Sequence, residues 1–149
     1  MSGLGDLYQE VILDHSRQPR NFHMIDTENV AKGHNPLCGD RYTVYVKLSG
    51  GTIEDIAFEG QGCAISKASA SLMTQAVKGR SRAVAVALFE AFHHLVMGEA
   101  LGAADLESLG KLRALAGVAQ FPARVKCASL AWHTMRAALD KAQGTVSLE

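Results

Sequence analysis

Three cysteines stand in segments whose neighbours allow chemistry. Cys38 lies in Gly33-His34-Asn35-Pro36-Leu37-Cys38-Gly39-Asp40, where two glycines and an Asn-Pro pair mark a tight loop. A thiol there is more exposed than one in a core. Gly39 lets the backbone turn, so the Cys38 thiolate and the Asp40 carboxylate can converge on one point. The segment fits metal binding or catalysis, and equally an Asx-type turn carrying an incidental cysteine. Cys63 lies in Glu59-Gly60-Gln61-Gly62-Cys63-Ala64, where a strand ends and a helix begins. Unpaired N–H groups and a partial positive charge at a helix start favour the thiolate. Cys127 lies in Phe121-Pro122-Ala123-Arg124-Val125-Lys126-Cys127, in or near the first turns of the last helix. Arg124 and Lys126 stand close enough in sequence to lower a thiol pKa or to offset an anionic site. Each of these two cysteines, taken alone, also fits a small buried hydrophobe.

Together they say more. Three thiolates and one carboxylate make four ligands, the number tetrahedral zinc prefers. Cys38 and Cys63 are 25 residues apart and Cys63 and Cys127 are 64 apart, so no short zinc-finger pattern applies and the local contexts carry the case. His15, His93, His94 and His133 read as structural or solvated. His34, four residues before Cys38, is the histidine nearest a candidate ligand. Ser66, Ser69 and Ser71 read as small-residue helix packing. No nucleophile elbow, P-loop, dinucleotide fingerprint or H-E-x-x-H occurs.

The elements that must position these groups follow from periodicity. Leu4, Leu7, Tyr8, Val11, Ile12 and His15 share one face of a first helix, stopped by Pro19. Asn21 to Pro36 reads as mostly irregular, with at most a short edge strand. Tyr42 to Leu48 alternates with period two, Ser49-Gly50-Gly51 turns, and Thr52 to Phe58 returns as a hairpin partner. Ile65, Ala68, Ser69, Leu72, Met73 and Ala76 give a helix closed by Gly79. Ser81 caps another helix, with Val84, Ala87, Leu88, Ala91, Phe92 and Leu95 on its face, ended by Gly98. A shorter helix follows near Leu106 to Ala116. Pro122 opens a last helix running to about Lys141. Strands first and helices later predict one α+β domain over residues 1–149, with helices on one face of a small antiparallel sheet.

Composition excludes other classes. Apolar residues make up 48% and charged residues 20%, too apolar for a disordered chain. Fifteen Lys+Arg balance fifteen Asp+Glu, which argues against a partner bound through its phosphates, hence against nucleic acid. The longest strictly apolar run, Ala83 to Phe89, is far short of a membrane span, and the N-terminus has no basic region of a signal peptide. Three widely spaced cysteines do not make an exported disulfide framework. The expectation is a cytoplasmic protein with free thiols.

At Asn35-Pro36-Leu37-Cys38-Gly39-Asp40 the sequence resembles the iron–sulfur cluster assembly proteins of the IscU, SufU and NifU N-terminal type. The likeness continues through Gly60-Gln61-Gly62-Cys63-Ala64-Ile65-Ser66 and ends with Phe121-Pro122-Ala123-Arg124-Val125-Lys126-Cys127-Ala128; Leu7-Tyr8 to Pro19-Arg20-Asn21 also looks like this family. The scaffold branch has a histidine immediately before its third cysteine, where this chain has Lys126. Residues 98–120 resemble the insertion of the SufU branch, so the chain reads as SufU-type.

The resemblance implies a zinc site made by Cys38, Asp40, Cys63 and Cys127. It implies a partner, a pyridoxal-phosphate-dependent cysteine desulfurase of the SufS type, and downstream iron–sulfur assembly proteins. Cys38 is then the acceptor of persulfide sulfur, freed from zinc when a partner side chain replaces it. Four anionic ligands around Zn²⁺ leave a local charge of about −2, which Arg124, Lys126 or Arg41 offsets. Two other readings stand beside this sulfurtransferase-like role. One is a scaffold on which Cys38, Cys63 and Cys127 hold a nascent [2Fe–2S] cluster, or iron, with Asp40 keeping it labile. The other is a zinc module that is purely structural.

Overall fold

A computed structural model describes residues 3–141 and 144–148. The chain runs α1 (Gly3–Arg17), β1 (Asn29–Asn35), β2 (Asp40–Ser49), β3 (Thr52–Gln61), α2 (Ala64–Val77), α3 (Arg82–Val96), α4 (Ala103–Leu109), 3₁₀ turns over Gly110–Gln120, α5 (Pro122–Leu139) and β4 (Thr145–Ser147). This is the α+β class read from the sequence. No helix among the described residues is long and apolar enough to cross a membrane.

The sheet has the order β3-β2-β1-β4. Tyr42, Val44 and Val46 of β2 face inward and are buried, while Thr43 and Tyr45 between them are half-buried and Arg41 and Lys47 on either side are exposed, so one face carries the helices. Two features depart from the sequence reading. First, Asn29–Asn35 is not irregular but a seven-residue strand between β2 and β4, antiparallel to β2. Second, β4 pairs in parallel with β1, so the sheet is mixed.

The inward face of β1 is Asn29, Ala31, Gly33 and Asn35, which carries almost no apolar signal. It is made for close approach by α5. A Cβ on Gly33 would collide with Thr134 Oγ1 of α5, and Asn29 Nδ2 donates to the Ala138 carbonyl at 3.0 Å.

The helices obey their sequence signals with small shifts. Ser81 Oγ accepts from the Val84 N–H at 3.1 Å as the cap of α3, and Gly79 and Gly98 take positive φ just past α2 and α3. Pro122 opens α5, which ends at Leu139, not Lys141. The single helix expected over Leu106 to Ala116 is split into α4 and the 3₁₀ turns at Gly110, whose φ of 52° no α-helix tolerates. Within the predicted face of α1, Leu4 and Leu7 lie outside the residues whose side chains are described; His15 is buried and Tyr8, Val11 and Ile12 are half-buried.

α2 is the central helix, buried against α1, α5 and β3, and small residues permit that. Ser69 Oγ donates to the Ala128 carbonyl of α5 at 2.5 Å. Ser71 Oγ lies 2.7 Å from His15 Nδ1 and accepts from the Arg20 N–H at 2.8 Å, which pins α1. Trp132 of α5 is fully buried and stacks on Phe92 of α3, with 4.8 Å between ring centres.

Candidate metal centre

Cys38 sits in the turn between β1 and β2, and Asn35 builds that turn. The Asn35 carbonyl accepts from the N–H groups of Cys38 (3.2 Å) and Gly39 (2.8 Å), and its side-chain Oδ1 accepts from Leu37 N–H at 3.3 Å. The Asx turn and the functional cysteine are therefore one feature, not alternatives. Gly39 takes φ of 73°, which reverses the chain into β2 and brings Asp40 to its first position. Cys38 is exposed, and Leu37 beside it is 68% exposed.

Asp40 is fully buried. Its Oδ1 accepts from the Cys63 N–H at 3.0 Å, which ties the β2 start to the cap of α2. Its Oδ2 is buried and has no hydrogen-bond partner among the described residues. A buried carboxylate oxygen left unpaired is costly unless something cationic binds it.

Cys127 lies in the second turn of α5 and is fully buried, as its reading as a small buried hydrophobe allowed, yet it also reaches the other candidate ligands. Its Sγ is 3.3 Å from Cys38 Sγ, and Asn35 Nδ2 stands 3.9 Å away as a weak donor. Burial pushes the Cys127 thiol well above its ordinary range, and Cys38, Cys63 and Asp40 push the same way. Without a cation these neighbours oppose ionisation of Cys127. A divalent ion bound there would favour the Cys127 thiolate instead.

One ligand atom each from Cys38, Asp40 and Cys127 lies within 4.8 Å of the others. Cys63, the half-buried N-cap of α2, is not in that group. Its Sγ is turned onto Ser66, accepting from the Ser66 N–H at 3.4 Å. So three of the four expected ligands converge, and the fourth adjoins them through its N–H on Asp40. His34 lies on β1 opposite Arg41, outside the group. Arg41 and Arg124 are exposed and Lys126 half-buried.

Two neighbours of the site escaped the sequence reading, Tyr42 and Ser66, whereas Asn35 carried its signal there. The Asn-Pro pair signals Asn35. Nothing in the pattern separates Tyr42 from its core neighbours or Ser66 from the other serines of α2. The donor set suits a thiophilic divalent ion: two thiols 3.3 Å apart, a carboxylate with an orphaned oxygen, and a third thiol alongside.

A sheet whose open end gathers thiols and a buried carboxylate beneath two helices defines a small α+β domain built around a candidate metal centre. The chain belongs to the NifU-like N terminal domain family, which matches residues 7–144. Among its relatives, the zinc-dependent sulfurtransferase SufU of Bacillus subtilis is 42% identical over 143 residues, spanning 96% of both chains. The iron-sulfur cluster assembly scaffold protein IscU of Streptococcus pyogenes is 43% identical over 141 residues, 95% of this chain and 87% of that one. A Fervidobacterium islandicum crystal structure, described as a SUF-system iron–sulfur cluster assembly scaffold protein, superimposes with a TM-score of 0.82 at 32% identity, covering 92% of this chain and 99% of that one.

Proposed function

We propose that this protein is a zinc-dependent sulfur-transfer protein of iron–sulfur cluster assembly that accepts persulfide sulfur on Cys38 from a SufS-type cysteine desulfurase. Cys38, Asp40, Cys63 and Cys127 hold the zinc. The observation that carries the reading is the position of Cys38, the one exposed cysteine of the three, with its sulfur 3.3 Å from that of fully buried Cys127. It is at once part of the donor cluster and within reach of a partner. The zinc-dependent SufU relative, at 42% identity over nearly the whole chain, supports the choice of metal and activity.

Zinc, when bound, keeps the thiols deprotonated near neutral pH without redox activity. The chain's own residues do the rest. Asn35 and Gly39 hold the turn that presents Cys38. The Cys38 thiolate attacks the outer sulfur of the partner's persulfide. A sulfur–sulfur bond forms at Cys38, the partner's sulfur–sulfur bond breaks, and the electron pair leaves with the partner's cysteine as its thiolate. No oxidant or reductant is consumed.

The test is desulfurase turnover with and without this protein. Wild type accelerates turnover; Cys38→Ala keeps the fold and gives no acceleration. Full acceleration by that variant defeats the acceptor role. The scaffold reading is favoured by the Streptococcus pyogenes relative. Anaerobic assembly of a [2Fe–2S] cluster on the chain, followed by transfer to an apo-protein, would establish it instead.

A further inference from the structure

The three cysteines are not held alike, and the difference lies in two hydroxyl groups. Ser66 N–H donates to Cys63 Sγ at 3.4 Å, and Ser66 Oγ lies 3.7 Å from the same sulfur. The Ser66 hydroxyl donates to the Cys63 carbonyl at 3.0 Å. That commits its only proton, so the Tyr42 hydroxyl, 2.9 Å away, is the donor onto Ser66 Oγ. Both side chains are buried, Tyr42 2% and Ser66 1% exposed.

These groups converge with Asp40. A Cβ on Gly62 would strike Ser66 Oγ and would lie 2.5 Å from the Tyr42 hydroxyl and 2.7 Å from Asp40 Oδ1. Glycine at 62 leaves the space through which hydroxyl, phenol and carboxylate approach one another. Cys38 has no such support: its N–H bonds to Asn35, and its sulfur meets only Cys127 among the described hydrogen bonds.

We infer that Tyr42 and Ser66 are positioning residues for Cys63, fixing it as the ligand that stays while Cys38 leaves. The inference rests on the zinc reading above. When Cys63 binds metal as a thiolate, the Ser66 hydroxyl can turn its one proton from the Cys63 carbonyl onto the sulfur 3.7 Å away, beside the Ser66 N–H. The sulfur then has two donors, and Tyr42 holds the serine in register. Groups of this kind orient a ligand and set its affinity for metal.

The test loads wild type, Ser66→Ala, Ser66→Thr and Tyr42→Phe with zinc and follows transfer of zinc to a chromogenic chelator, alongside thermal unfolding of each metal-free protein. Ser66→Ala is expected to release zinc about tenfold faster than wild type, Tyr42→Phe about threefold faster, and Ser66→Thr near the wild-type rate. Metal-free melting should not account for that order. Should Ser66→Ala fail to fold, Tyr42→Phe decides alone. Release at the wild-type rate from folded Ser66→Ala, or from Tyr42→Phe where that variant decides, overturns the inference and leaves the zinc reading standing. Wild type that binds no zinc overturns the zinc reading itself, and with it this inference.

Discussion

Cys38 stands in a four-residue turn between two strands, whereas Cys63 caps α2 and Cys127 stands in the second turn of α5, two packed helices. The turn side is open: Cys38 is exposed, and a Cβ on Gly39 would meet nothing within 4 Å. The helical side is closed. Cys127 is fully buried, Cys63 is bonded to Ser66, and Asp40 is bonded to the Cys63 main chain. One site thus joins an exposed, reachable sulfur to a buried, hydrogen-bonded wall. The lesson is that one site combines a reachable thiol with buried, hydrogen-bonded groups, which under the proposed function divides the labour between sulfur transfer and metal retention.

That contrast can be broken from either side, and the largest effect belongs to the wall. Cys127→Ser removes the sulfur that lies 3.3 Å from Cys38, and stoichiometric zinc is expected to be lost, measured by metal analysis after gel filtration. Equal loss from Cys38→Ser would show that the two sides do not differ.

The glycines give a subtler comparison. Gly62→Ala forces a methyl into Ser66 Oγ and the Tyr42 hydroxyl, and should lower folding stability by about 2–3 kcal/mol in urea titration while loosening zinc. Gly39→Ala meets no atom and pays only for φ of 73°, about 1–2 kcal/mol, with zinc retained. The reverse order would contradict the account.

Acid should also weaken the packing of α1 on α2, away from the site. His15 is buried between α1 and α2, and burial pushes its pKa down to about 4. The unfolded chain binds this proton below about 6.5 and the folded chain does not until about pH 4. The stability that neutral His15 provides is therefore full above pH 6.5 and is lost as pH falls toward 4, by up to about 3 kcal/mol. His15→Gln should flatten that part of the pH profile of urea unfolding; an unchanged slope would count against it.

Much of this was legible in the sequence, for physical reasons that differ by element. The β2–β3 hairpin and the caps at Ser81 and Pro122 declare themselves through local chemistry, and local chemistry decides their structure. β1 does not, because its inward residues are chosen for contact with α5: Gly33 admits Thr134, and Asn29 bonds Ala138. The three-residue β4 gains its strand character only from pairing with β1. Cys38, Asp40 and Cys127 were visible because glycine, proline and helix starts frame them. Tyr42 and Ser66 were not, since their role depends on a meeting between β2 and α2 that no local pattern records.

The central claim is that Cys38 receives the sulfur. Incubation with a cysteine desulfurase and cysteine, then alkylation, digestion and mass spectrometry, locates every persulfide on the chain. The account predicts one extra sulfur on the peptide carrying Cys38 and none on Cys63 or Cys127. Sulfur on either of those two instead, with Cys38 unmodified, would contradict it.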